Sequence, residues 1–189
     1  WRKAGQSAPE FSILSEVLRF FDQHLAGLPT GIENEDPVHY FCTHAEEWRS
    51  SPQWPPASTP ELWHLSPGKL SVNASDRVET VEHQTKFTVS SGTNTRFERL
   101  SAQPTVDYYK DWDVHERQML SFLSEPLQGD LELGGHALLE LALSSSENDG
   151  AIFAYLSELD ADGNLRFITD GCLRLAHRQV SEAPAKYQT

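Results

Sequence analysis

The chain has 189 residues, 38% of them hydrophobic and 23% charged, which is enough for one large domain, or for one domain with an arm, and argues against wholesale disorder. Its formal net charge of −13 argues against nucleic acid and anionic membranes as partners, because both bind basic surfaces. No apolar run approaches the roughly 18 residues of a membrane-spanning helix, and no signal peptide is visible.

One amphipathic helix is predicted near the start of the chain, from Ser7 to Gly27. Ser7 and Glu10 have the spacing of a capping box, and Gly27 is a typical residue for ending a helix. Ile13 and Phe20 widen its apolar surface, so we expect the helix to be packed on more than one side, with one neighbour outside this chain. The main apolar stripe consists of Phe11, Leu14, Val17, Leu18, Phe21 and Leu25.

The middle of the chain combines strands with a proline-rich segment. Pro37 to Cys42 alternates apolar and polar positions and predicts a strand. Trp48 to Trp63 contains four prolines, which lack the N–H that a central strand donates, so we predict an extended surface strap. Leu62 to Leu65 predicts a short strand followed by a turn at Pro67-Gly68, and Lys86 to Val89 predicts another strand.

The C-terminal half has closely spaced strand signals separated by turn residues such as Asp162-Gly163-Asn164. The predicted strands are Met119 to Leu123, Asp130 to Leu133, Leu139 to Leu143, Ile152 to Leu156, Leu165 to Thr169 and Gly171 to Arg178. One core face is predicted to contain Leu139, Leu141, Leu143, Ile152, Ala154 and Leu156. Short strands at this spacing indicate a β-sandwich or jelly roll.

Residues with catalytic or metal-binding chemistry form no complete set. The eight histidines show neither H-x-x-x-H nor H-E-x-x-H spacing, so we predict no metal site and no cofactor. Asp160 to Asn164 resembles a calcium loop but lacks its final glutamate, which favours a hairpin turn. Cys42 and Cys172 are interpreted as ordinary thiols, with a disulfide or a metal pair as the less favoured alternative.

Four blocks of sequence occur in an order that points to one protein family. They are Phe20 to Gly27; Pro37 to Phe41 with Trp48-Arg49 and Trp54-Pro55; Pro126-Leu127 with Glu132 to Gly135; and Gly171 with Leu173-Arg174 and His177-Arg178. Together these blocks resemble the cocaine esterase and X-Pro dipeptidyl-peptidase hydrolases. The stretch from Pro126 to Arg178 is similar to the C-terminal jelly-roll domain of those proteins.

The resemblance implies a fold and a division of the chain. The fold class is mainly β: a jelly-roll, galactose-binding-like β-sandwich, preceded by one helix left from an α/β-hydrolase domain. Residues 1–30 would be that terminal helix, 31–75 a Pro/Trp-rich crossing segment, and 76–189 the jelly roll. The family's jelly roll continues past the position of Thr189, and the first residue is Trp1 and not Met, so we expect a truncated or processed chain. The compartment is left open, with the cytoplasm slightly favoured.

The resemblance also implies a parent activity. The parent would be a serine hydrolase that cleaves small esters or amides with a Ser-His-Asp triad. No residue of that triad maps onto this chain, and the nucleophile motif G-x-S-x-G does not occur in it. The chain is therefore expected to be non-catalytic, to stabilise the catalytic domain and to cover its active site. Its expected partners are the α/β-hydrolase domain of its own parent and, as an open alternative, further copies of itself.

Two alternatives concern aromatic residues. Tyr108, Tyr109 and Trp112 are candidates for the rim of the parent's substrate pocket, with packing at the seam between domains as the competing interpretation. The competing function for the whole chain is a carbohydrate-binding jelly-roll module, which would present aromatic residues on one exposed strand face.

Overall fold

The computed structural model of the protein describes residues 12–43, 45–90 and 118–179. Its elements are α1 (Ile13–His24), β1 (Val38–Cys42), β2 (Glu47–Ser51), β3 (His64–Ser66), β4 (Lys69–Ser71), β5 (Ala151–Leu159) and β6 (Leu165–Arg174), with 3-10 turns at Ile32–Asn34 and Leu175–His177. The strands form three antiparallel pairs, β1–β2, β3–β4 and β5–β6. This part of the chain is thus mainly β, as predicted. Within it, no helix has the length and apolar character needed to cross a membrane.

The chain divides into two compact units. Among the described residues, the first unit holds 12–43, 45–81 and 122–136, and the second holds 82–90, 118–121 and 137–179. The first unit therefore contains α1 and strands β1 to β4, and the second contains β5 and β6. The predicted division at residues 30 and 75 stays a prediction.

Helix α1 begins later than the sequence predicted. Ser12 is its N-cap: its backbone is extended, and its hydroxyl oxygen accepts a hydrogen bond from the Ser15 N–H at 3.3 Å. Ser12 therefore caps the first described turn, while the predicted start at Ser7 lies outside the described residues. Gly27 lies three positions past the last helical residue with a φ of 66°, a left-handed conformation that suits glycine, so the predicted stop signal is confirmed.

The β1–β2 hairpin confirms the first predicted strand and corrects the second prediction. β1 lies within the stretch predicted from Pro37 to Cys42, and β2 occupies the first residues of the predicted strap. This part of the strap forms a strand because the prolines begin only at Pro52, so every earlier residue can donate its N–H. We therefore use the name strap for residues 52–63.

The β3–β4 hairpin turns at Pro67-Gly68, as predicted, with Gly68 at a φ of 70°. Leu123 joins this hairpin through its backbone. Its N–H donates to the Gly68 carbonyl at 3.2 Å, and its carbonyl accepts from the Leu70 N–H at 2.9 Å. In the predicted strand Met119 to Leu123 only this last residue pairs, through a single bridge opposite Lys69.

The strap is held against the segment Gly134–His136, residue by residue in antiparallel order. A β-carbon on Gly134 would lie 3.8 Å from Pro56 Cγ, and one on Gly135 would lie 2.7 Å from Pro55 Cβ. The third pair is Trp54 and His136, whose side chains share a hydrogen bond of 3.2 Å. Prolines have no N–H, so this contact is not a β-ladder.

The β5–β6 hairpin contains a bulge. The register shifts after Leu156, which lies opposite Thr169, because the next residue, Ser157, lies opposite Phe167. Ile168 is therefore the extra residue of a β-bulge. Beyond the bulge, β6 side chains point to the face opposite to the one they would occupy in a regular ladder.

The turn between β5 and β6 confirms the hairpin interpretation of the acidic loop. The Asp160 carboxylate accepts hydrogen bonds from the backbone N–H of Asp162 at 3.0 Å and of Asn164 at 2.8 Å. It also accepts from Arg166 Nη2 at 3.1 Å. Gly163 has a φ of 82° at the turn. The carboxylate oxygens of Asp160 are thus engaged in the turn itself.

β6 is one strand where the sequence predicted two. Gly171 stays paired with Ala154 in the ladder, so it does not break the strand. A β-carbon at this position would meet no atom within 4 Å. The strand ends at Arg174, and the predicted continuation is wrong because a 3-10 turn follows at Leu175–His177. The Leu175 N–H donates back to the Gly150 carbonyl at 2.8 Å.

Three other predicted strands are not found. Lys86 to Val89 forms a turn, closed by a hydrogen bond of 3.1 Å from the Val89 N–H to the Lys86 carbonyl. Asp130 to Leu133 and Leu139 to Leu143 pair with no strand in the described ranges. The leucines at 139, 141 and 143 are 46–48% exposed, so the core face predicted for them is wrong. Alternation specifies a face but no partner, and a strand needs a neighbouring strand.

The strap contact predicts different effects for two adjacent glycines. Gly135→Ala should lower the free energy of unfolding by roughly 1–3 kcal/mol, since the φ of 105° disfavours an L side chain and the methyl group would overlap Pro55. Gly134→Ala is the matched control, expected to change it by less than about 0.5 kcal/mol. Urea denaturation followed by tryptophan fluorescence measures both, and equal losses would contradict the described contact.

Candidate functional site

Helix α1 is attached to its own unit through its polar side. The Arg19 guanidinium donates to both Glu35 oxygens, from Nη1 at 2.6 Å and from Nη2 at 2.7 Å. The Gln23 side-chain oxygen accepts from the Thr30 N–H at 2.8 Å and from the Thr30 hydroxyl at 3.0 Å. Two-point pairing of arginine and carboxylate fixes direction as well as distance. These contacts therefore set which way the helix faces.

Charges of both signs converge on this attachment. Hydrogen bonds from Arg19 lower the pKa of Glu35, and the same bonds raise the pKa of Arg19. A Glu16 oxygen lies 2.9 Å from Arg19 Nη2, and His39 Nε2 lies 3.6 Å from a Glu35 oxygen. The pair is accordingly ionised at neutral pH.

The apolar side of α1 is exposed. With 3.6 residues per turn, the polar residues Glu16, Arg19 and Gln23 share one side of the helix, and the large apolar residues occupy the other. The apolar face of α1 consists of Ile13, Leu14, Val17, Leu18, Phe20, Phe21 and Leu25, which are between 46% and 80% exposed. Soluble amphipathic helices normally turn this side toward their own core. Here the orientation is reversed, which leaves a contiguous apolar surface for another body.

A second cluster surrounds Trp54 in the first unit. The rings of Tyr40 and Trp54 meet edge to face with centroids 5.8 Å apart, and those of Trp54 and His136 do so at 6.1 Å. The indole N–H of Trp54 donates to His136 Nε2 at 3.2 Å. Trp54 nevertheless stays 46% exposed. The cluster thus presents one exposed indole whose only donor is already used.

An ion network lies beside this cluster. Arg49 is opposite Tyr40 in the β1–β2 ladder, so the two side chains share a face of the hairpin. Arg49 pairs with Glu47 on its own strand and with Glu132, which precedes the Gly134–His136 segment. Hydrogen bonds that the Arg49 guanidinium donates to the carboxylates, first to Glu132 and then to Glu47, raise the pKa of Arg49. The network ties residues around 132 to β2.

The candidate site residues from the sequence, Tyr108, Tyr109 and Trp112, lie outside the described residues, so their position at a pocket rim stays a prediction. Within the described ranges, no group of three or more His, Cys, Asp or Glu side chains is arranged to hold a metal ion. Cys42 and Cys172 are both free thiols, as interpreted from their spacing.

Sequence reasoning missed the residues that orient α1. Arg19 and Glu35 are sixteen positions apart, and no spacing rule links a helix residue to a loop residue at that distance. A weaker signal was available in the sequence. Glu16, Arg19 and Gln23 fall on one side of the predicted helix and mark a polar side that can form hydrogen bonds and ion pairs.

Comparison with known proteins decides the family. The family described as the X-Pro dipeptidyl-peptidase C-terminal non-catalytic domain matches residues 30–188. The chain belongs to this family. A protein of Mycobacterium bovis that is named provisionally as a serine esterase is 34% identical over 186 residues. The cocaine esterase of a Rhodococcus species is 25% identical over 177 residues, and a provisionally named Xaa-Pro dipeptidyl-peptidase of Streptomyces avermitilis is 28% identical over 155 residues.

The extent of these similarities is as informative as their level. The alignments cover 97%, 87% and 81% of this chain, but only 30%, 31% and 21% of the three relatives, in the order given. The chain thus spans less than a third of the length of these family members. Helix α1 precedes residue 30, where the match to the non-catalytic domain begins, yet the 97% coverage by the mycobacterial protein includes it. No solved structure matches the chain.

The Arg19–Glu35 pair predicts a pH dependence of the first unit. Because the folded state lowers the pKa of Glu35, this group contributes stability above the unfolded pKa of about 4.5 and loses it as the pH falls through the lower folded pKa. We therefore expect Glu35→Gln to flatten the fall in urea stability and in helical circular dichroism below about pH 4.5.

Glu33→Gln is the matched control for that titration, since it removes the same charge two positions away from the carboxylate that Arg19 contacts. This control should follow the wild-type curve. If Glu35→Gln and wild type lose stability with the same slope, the ion pair does not hold α1 in place.

Proposed function

We propose that this chain is the non-catalytic C-terminal region of a serine hydrolase that cleaves esters or amides, and that it stabilises the catalytic domain and covers its active site. The family description and the names of the relatives support the hydrolase class. The relatives extend far beyond the stretch they share with this chain, which leaves room in them for a separate catalytic domain.

The observation that carries the docking role is the reversed orientation of α1. Arg19 and Gln23 hold its polar side on the first unit, and its apolar face is left to solvent. Exposed contiguous apolar surface of this kind marks an interaction site. The occupant we propose is the α/β-hydrolase domain of the same parent chain, because α1 precedes the non-catalytic domain and would be the last helix of the preceding one.

The β5–β6 hairpin supports a jelly-roll, galactose-binding-like sandwich in the second unit. Phe153 and Tyr155 lie on one face of β5, and Ile152 and Leu156 lie on the other. Two strands that are apolar on both faces cannot bury either face by themselves, so further layers must cover them. A central position in a sandwich meets that requirement.

The substrate role of the chain is indirect in this proposal. A small ester or amide would bind to the catalytic domain, and Tyr108, Tyr109 and Trp112 would contribute contact area at the rim of its pocket. The chemistry would come from a Ser-His-Asp triad in the catalytic domain. Assembly of further copies through the same surfaces remains the open alternative for oligomeric state.

The competing function, a carbohydrate-binding module, has one observation in its favour. Trp54 is half exposed, and sugars stack on exposed indole rings. Its position in the proline-rich strap, and not on a strand face, favours a structural role. Quenching of tryptophan fluorescence by oligosaccharides that disappears in Trp54→Phe would support the competing function.

The chain alone should not hydrolyse esters. We expect no turnover of p-nitrophenyl acetate or butyrate by the purified chain, because the nucleophile motif does not occur in its sequence. Addition of a separately expressed N-terminal part of the parent should restore activity. Turnover by the chain alone that a serine-directed inhibitor abolishes would contradict the proposal.

Docking through α1 should depend on its apolar face. Leu18→Gln, at a position 61% exposed, should weaken binding to the N-terminal part of the parent roughly tenfold or more, since a buried leucine contributes about 1.5–3 kcal/mol. Glutamine has approximately the same helix propensity as leucine, so the substitution should leave α1 folded. Titration calorimetry measures the affinity.

Leu62→Gln is the matched control for docking. Leu62 is 71% exposed but lies in the strap, so the same substitution there should leave binding unchanged. Equal affinities for Leu18→Gln and wild type would remove α1 from the interface, and equal losses in both variants would indicate a non-specific effect of reduced hydrophobicity.

A further inference from the structure

The segment 122–136 is connected to the rest of the first unit at three described points. Leu123 pairs with the β3–β4 hairpin through backbone hydrogen bonds of 2.9 and 3.2 Å. Glu132 pairs with Arg49 on β2. His136 accepts the hydrogen bond from Trp54 in the strap at 3.2 Å. The first connection uses backbone groups and the second an ion pair with Arg49, whereas the third uses the imidazole of His136.

The strap depends on that third connection more than an ordinary strand would. Pro55 and Pro56 face Gly135 and Gly134 and have no N–H to donate, so the contact gains no ladder hydrogen bonds from them. Among the hydrogen bonds described for this contact, the Trp54–His136 bond is the polar one. The remaining attraction is the packing of the proline rings on glycine backbone and the ring contacts of Trp54 with Tyr40 and His136.

The chemistry of the bond fixes the protonation state that it requires. An indole N–H can only donate, so the Nε2 atom of His136 must accept and must carry no proton. A protonated imidazole has two N–H groups and no acceptor, and its Nε2–H would point at the indole N–H of Trp54. The bond and the protonated state exclude each other.

We propose that Trp54 and His136 form a pH-sensitive latch that holds the strap on Gly134–His136 while the imidazole is neutral and releases it when the imidazole takes up a proton. Histidine is the side chain that ordinarily changes charge between about pH 5 and 8. Because Leu123 and Glu132 keep their own partners, release frees the strap while residues 123–132 stay attached.

The charged surroundings of the latch belong to β1, β2, the strap and the segment itself. The titratable groups on these elements are His39, Tyr40, Cys42, Glu47, Arg49, Glu61, Glu125, Asp130 and Glu132. Arg49 is paired with Glu47 and Glu132, and its pKa is raised, so its guanidinium stays charged through the range in which the latch acts. His39 is opposite Ser50 on β1, on the face away from Tyr40, and pairs with Glu35.

The indole proton of Trp54 reports on the latch directly. In nitrogen-15 spectra of the whole chain, its resonance is identified by its disappearance in Trp54→Phe. From pH 8 to pH 5 we expect it to move in one transition, and its exchange with water, corrected for the intrinsic pH dependence, to rise roughly fivefold or more, as for the loss of one exposed hydrogen bond.

Two histidine variants separate the latch from general acid effects. His136→Gln keeps an acceptor oxygen and cannot titrate, so the Trp54 resonance should stay in place across the same range. His64→Gln, on β3, is the matched control and should show the wild-type transition. A Trp54 resonance that does not move in wild type, or that moves equally in His136→Gln, overturns the proposal.

A measurement on the unmodified chain keeps the test decisive if His136→Gln fails to fold. In the wild-type chain, exchange of the Trp54 indole proton, corrected for intrinsic rates, should be faster at pH 5.5 than at pH 7.5, while that of Trp63, whose indole N–H donates to Glu61 at 3.0 Å, is unchanged. Equal exchange of the Trp54 indole proton at both pH values overturns the latch, whatever the variants do.

Discussion

The two-point pairing of Arg19 with Glu35 is the interaction on which the orientation of α1 depends. It turns the polar side of α1 toward the first unit, and Gln23 with Thr30 keeps it there. An exposed ion pair contributes little to stability. Its importance here is directional, because it decides which side of the helix is left exposed.

This orientation agrees with where the family boundary falls. The non-catalytic domain begins at residue 30, after α1, while similarity to the mycobacterial relative includes the helix. A helix that is joined by polar bonds to its own unit and leaves its apolar face exposed has the physical properties that a connection between domains requires.

The sequence predicted the features that residues determine locally and missed those that depend on distant partners. Gly27 and Gly163 were found because their left-handed backbone suits glycine in any context. Leu141 was predicted in a core strand and is half exposed, because alternation cannot name the strand that must lie beside it. Arg19 and Trp54 were missed as contact residues for the same reason: Glu35 and His136 are far away in sequence.

The bulge at Ile168 determines which side chains of β6 share a face with those of β5. Because of this one extra residue, Phe167 shares a face with Ser157, and through it with Phe153 and Tyr155. If the same sequence paired without the register shift, Phe167 would lie opposite Glu158, on the other face of the hairpin. A homologous strand that has one residue fewer at this point could therefore pair as a regular ladder, with Thr169 and Phe167 still opposite Leu156 and Ser157, so no position beyond the bulge would have to exchange its polarity.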